Sequence, residues 1–181
     1  MNSNRWTLTI AAIALATLRA PAQTYTTIDS PGSTGTYPIA INRAGAIAGT
    51  YADAGNVDHG FLRDASGAFT SFDAPGSIHT SAEGVNDAGV IAGTYTDADQ
   101  NIHGLVRTPD GTITVFDVPG SDNTVPFAID NAGTIAGSFG PAATPNAFIR
   151  RRDGTIHTTR YRGDETVPSS QTKGLRPVRH V

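Results

Sequence analysis

The residues with the plainest chemical potential are two histidines. His59 and His103 open the matching segments His59-Gly60-Phe61 and His103-Gly104-Leu105. Two imidazoles with a carboxylate can hold a divalent metal. A residue that recurs in every unit of a repeat more often performs one structural task per unit, such as bonding a neighbouring turn, and that role is expected here. Asp97, Asp99 and Asn101 match the first side-chain positions of a calcium loop. Ile102 then stands where such a loop needs glycine, and Thr108 where it needs a bidentate glutamate. The equivalent loop, from Asp53, does not follow the pattern. Glu83 is an acid whose counterparts are Ile39 and Phe127. Acting as one of a catalytic pair would require a second acid nearby, which sequence cannot place. His59, His103, Asp53, Asp97, Asp99 and Glu83 are therefore the candidate ligand-binding residues. No residue is assigned to catalysis, and calcium at Asp97, Asp99 and Asn101 is the sole cofactor to consider.

Other chemistries find no support. The chain contains no cysteine, which removes disulfides, thiolate metal sites and thiol nucleophiles together. It has no nucleophile elbow, HExxH, phosphate loop or dinucleotide fingerprint. Arg162-Gly163-Asp164 spells an integrin-recognition tripeptide, but three residues carry almost no specificity. The formal net charge of -3 offers no clustered basic face for nucleic acid.

The elements that must position these residues follow from an internal repeat. DSPGS at 29–33 returns as DAPGS at 73–77 and DVPGS at 117–121, a spacing of 44 residues. INRAGAIAGTY from Ile41 returns at the same spacing as VNDAGVIAGTY from Val85 and IDNAGTIAGSF from Ile129. The units run over about 29–72, 73–116 and 117–161, together forming a domain over 23–161. Each reads as four short strands, near 38–42, 46–51, 59–63 and 68–73 in the first copy, separated by Asn/Gly, Asp-Gly and Pro-Gly turns. Twenty glycines and eleven prolines among 181 residues suit that many turns. The fourth strand carries apolar residues on both faces, as a sheet covered on both sides requires. Small residues at 40, 48 and 49, and at their counterparts, would let sheets approach closely. The expected fold is all-β, a propeller-like stack of three four-stranded antiparallel blades.

Three blades are fewer than a closed propeller needs. The expectation is an incomplete ring or one completed by self-association, for example two chains forming six blades. A spare strand is expected at Tyr25–Asp29, which matches the fourth strand of a unit. Residues 1–22 read as a signal peptide. Arg5 precedes a 13-residue uncharged run from Trp6 to Leu18, and Ala20-Pro21-Ala22 forms a cleavage site. The run is short for a membrane span. Residues 162–181 abandon the repeat and read as a disordered tail.

With the His59-Gly60-Phe61, His103-Gly104-Leu105 and Asn146-Ala147-Phe148 segments in place beside the INxxGxIAGTY-like and FDxPGS-like ones, the chain resembles the bacterial HAF extracellular repeat family over about 23–161. The resemblance implies a secreted bacterial β-repeat protein and assigns no activity. The third copy departs from it by carrying Asn146 in place of histidine. The function expected is a non-catalytic binding or surface-structural role, extracellular or periplasmic, towards carbohydrate or another envelope component. Neither nucleic acid nor, after signal cleavage, a membrane is an expected partner. The alternatives are a glycan-cleaving propeller enzyme with a site in a central channel, and a truncated array with little function of its own.

Overall fold

The computed structural model describes residues 23–162 and 165–168. The signal segment 1–22, Gly163 and Asp164 of the tripeptide, and the tail beyond 168 lie outside the described residues. The first blade comprises Gly35–Ile41 (β1), Ile47–Ala52 (β2), Asp58–Arg63 (β3) and Phe69–Phe72 (β4). The second comprises His79–Val85 (β5), Ile91–Thr96 (β6), Ile102–Arg107 (β7) and Ile113–Phe116 (β8). The third comprises Thr124–Ile129 (β9), Ile135–Phe139 (β10), Asn146–Arg150 (β11) and Ile156–Arg162 (β12). Strands pair antiparallel in chain order within each blade, so the fold is an all-β stack of three blades of the propeller type.

The turns follow from their residues. Between β1 and β2 the Gly45 N–H donates to the Asn42 carbonyl at 3.0 Å, and the Ala46 N–H donates to Asn42 Oδ1 at 2.9 Å. Gly45 has φ +82°, where a side chain would be strained. The first strand of each blade also carries a β-bulge. Register shifts between Pro38 and Ala40, and between Ala82 and Gly84, make Ile39 and Glu83 the extra residues. Phe127 holds the same place in β9. The bulge brings backbone against backbone, and a Cβ at Gly93 would lie 2.1 Å from the Ser81 carbonyl oxygen. This explains the fixed glycine at 49, 93 and 137.

Blade-to-blade connections use the DxPGS segment. The Ala74 N–H donates to Thr80 Oγ1 at 3.1 Å and the Val118 N–H to Thr124 Oγ1 at 3.0 Å, with both threonines fully buried. The hydrophobic core lies between blades. Ala48 and Phe72 of the first blade pack on Val85, Ile91 and Leu105 of the second. Ala92 and Val118 pack on Ile135, Phe139 and Phe148 of the third. Each large side chain removed from water in this way stabilises the stack by about 2 kcal/mol. Arg107 lies over the Phe72 ring at 5.1 Å and Arg150 over Phe116 at 4.7 Å, so each later blade also places a guanidinium on the ring of the one before.

Two expectations change. Residues 23–30 form no strand, and Tyr25 is 86% exposed. The segment matches a fourth strand, but no strand among the described residues pairs with it. At the other end Glu165–Pro168 forms a strand (β13) paired antiparallel with β12, Arg162 opposite Glu165, where composition points to a tail without structure. The outer edge of β12 supplies the backbone partners that low hydrophobicity alone does not reveal.

Candidate functional site

Each histidine is held in a clamp built from three places in its own blade. His59 on β3 lies opposite Tyr51 on β2, and the rings stack at 5.0 Å. His59 Nδ1 bonds Asp73 Oδ1 at 2.8 Å, just beyond β4, and Nε2 faces Asp53 Oδ2 at 3.5 Å. The second blade repeats this more tightly. His103 stacks on Tyr95 at 4.8 Å, bonds Asp117 at 2.9 Å through Nδ1, and meets Asp97 Oδ2 at 3.1 Å through Nε2. Burial pulls both imidazole pKa values down, but bonds to the flanking carboxylates outweigh it and leave both raised. Asp97 is drawn down to about 2, first by the bond from His103 and then by the Asn101 N–H.

Several of the atoms that a ligand would need are already bonded. Asp97 Oδ1 accepts the N–H groups of Asp99 and Asn101, both at 2.9 Å, and Oδ2 accepts Asn101 Nδ2 at 3.2 Å besides His103. Asp53 closes its own loop through the Gly55 and Val57 N–H groups. Asp97 and Asn101 thus close a hydrogen-bonded turn with the Asp99 N–H. Among the described residues no three His, Asp or Glu side chains converge as metal ligands. Glu83 is half-buried at the β5 bulge, where it accepts Ser81 Oγ–H at 2.7 Å. Ser81 in turn bonds Thr50 of the first blade at 2.5 Å. His59 with Asp53 and His103 with Asp97 therefore lie in two clamps, Asp99 in the loop beside the second and Glu83 at a bulge, so the six candidates do not gather in one place.

A groove between the second and third blades was not singled out by sequence. It has a volume of about 300 Å³ and an apolar floor from Val106, Ile129 and Ile135. Asn86, Thr108, Thr114, Asn131, Arg150 and Arg152 supply its polar lining. No acid is among the described residues that line it. Arg150 Nε is buried without a hydrogen-bond partner, and burial lowers the guanidinium pKa. The corresponding positions between the first and second blades carry Asp64 for Thr108, Asp87 for Asn131 and Pro109 for Arg152, so the positive balance is particular to this groove. The repeat alignment contained that signal, but only when positions from adjacent units are read together.

No family model matches the chain, and no curated protein matches it. Among solved structures, one described as "Streptogramin B lyase structure" is similar at 15% sequence identity with a TM-score of 0.32. The match covers 73% of this chain and spans 56% of that one.

Proposed function

We propose that the chain is an exported, non-catalytic β-repeat protein that binds an acidic carbohydrate in the groove between its second and third blades. The observation that carries this reading is the pairing of Arg150 and Arg152 in a groove with no lining acid. Guanidinium groups bind carboxylate or sulfate through charge-assisted, often bidentate, bonds. Thr114 offers a hydroxyl to the sugar, Asn131 and Thr108 offer what their bonds to Asp87 and Asp110 leave free, and Val106 and Ile129 offer an apolar strip to the C–H face of a ring. The clamps recur in the first two blades at equivalent places, which fits a structural task repeated per unit. The HAF-like segments and the N-terminal signal pattern support an extracellular or periplasmic setting.

Calorimetric titration with an oligouronate and with a neutral oligosaccharide of equal length tests this. Binding of the acidic ligand alone, weakened about tenfold or more by Arg152→Ala, is the expected result. Equal binding of both ligands, or no effect of the substitution, would refute it.

A further inference from the structure

The two ends of the stack carry the surfaces that, inside it, seal one blade onto the next. Ser81 and Val85 of β5 face the first blade, Ser81 bonding Thr50 and Val85 buried to 8% exposure. Their counterparts Tyr37 and Ile41 on β1 are 59% and 67% exposed, with Ile39 beside them at 46%. At the far end Ala128, Ala136 and Ile149 are exposed. In the first blade the same positions hold Ala40, Ala48 and Leu62, which lie in the core against the second blade. Both end faces have thus kept an apolar complement that nothing in the described chain covers.

The polar residues at these ends have changed in a matched way. Inside the stack, Asn42 and Asn86 donate side-chain N–H to the carbonyls of Asn86 and Asp130, 44 residues on. Asp87 and Asn131 accept the N–H groups of Arg43 and Asp87. The third blade replaces the donor with Asp130, and the first blade replaces the acceptor with Arg43. If the third blade of one copy met the first blade of another, Asp130 and Arg43 would stand on facing turns with opposite charges, the Arg43 guanidinium also lying 3.7 Å from Asp87 of its own chain. The cation–π positions are adjusted likewise. The third blade lacks the ring, holding Thr159 where Phe72 and Phe116 stand. Arg63 of the first blade instead lies over Phe69 of its own blade at 5.9 Å.

From this continuity and charge match we infer that two copies join head to tail, the exposed face of β1–β3 of each on the exposed face of β9–β11 of the other. Two such contacts related by a two-fold axis close a ring of six blades, within the range that propellers use.

Light scattering on the purified chain tests this, with Ile41→Asp and Ile149→Asp, whose sites are solvent-exposed in one copy. The wild type should have twice the mass of one chain. Each variant should dissociate about a hundredfold more readily, since each would bury an unpaired charge at both junctions. Mixing the two variants should restore a two-chain species, because the mixture contains one pair of intact faces. A cooperative melt and a wild-type far-UV spectrum in each variant would show that both fold. A monomeric wild type, an open series of higher masses, or an Ile149→Asp variant that still dimerises like wild type would each overturn the inference.

Discussion

The side-chain amide of Asn42 donates to the main-chain carbonyl of Asn86, its own counterpart one repeat later, at 3.0 Å. Asn86 does the same to Asp130 at 3.1 Å. In the first two units one residue type therefore performs two tasks. Its Oδ1 closes the turn that ends the blade's first strand, and its Nδ2 ties that turn to the next blade.

Asn86→Asp separates these tasks, since aspartate keeps the acceptor and loses the donor. The lost hydrogen bond costs about 1 kcal/mol, and the new carboxylate facing the Asp130 carbonyl at a buried position adds to it. Asn86→Ala brings no charge but also removes the bonds from the Val90 and Ala88 N–H groups, so the two costs should differ. Denaturant melts give both numbers. Equal costs would contradict the division of labour.

A second prediction concerns a pair that the chain has itself exchanged. A Cβ on Gly104 would lie 2.6 Å from the Phe116 ring, and Gly60 faces Phe72 in the same way. The third blade holds Ala147 opposite Thr159. Gly104→Ala alone should destabilise by about 1–3 kcal/mol through overpacking. Combined with Phe116→Thr, the loss should fall well short of the sum of the single changes. A double-mutant cycle measures that coupling, and strict additivity would contradict the contact.

The clamps predict how stability depends on pH. His59 and His103 have raised pKa values in the fold. Their stabilising contribution is complete below the unfolded value near 6.5 and is lost as pH rises through the folded values. Asp97 is lowered to about 2, so its contribution is complete above the ordinary value of 3.8 and is lost as pH falls towards 2. Thermal melts should therefore show greatest stability between these limits. His103→Asn, which copies Asn146 of the third blade, should flatten the alkaline decline. A variant that keeps the full wild-type decline would contradict the clamp.

Much of the fold was legible because its turns use the same residues three times. Gly45, Gly89 and Gly133 all adopt positive φ, and the Asn or Asp three residues before each closes the turn. Such local chemistry survives in sequence. Long-range chemistry does so less. His59 and Asp73 stand 14 residues apart and meet because β3 pairs with β4, so sequence gave the histidine a structural task without naming its partner. The groove was hidden for the same reason, since Thr114 and Arg150 belong to different units. The strand expected at Tyr25–Asp29 failed because a strand motif forms a strand only beside a partner.

The central functional claim concerns where a ligand sits, and amide chemical-shift mapping with an oligouronate tests it most directly. The account predicts saturable shifts at Thr108, Thr114, Asn131 and Arg152, with little change at the clamps of His59 and His103. Shifts centred on the clamps, or none at all up to millimolar ligand, would contradict it.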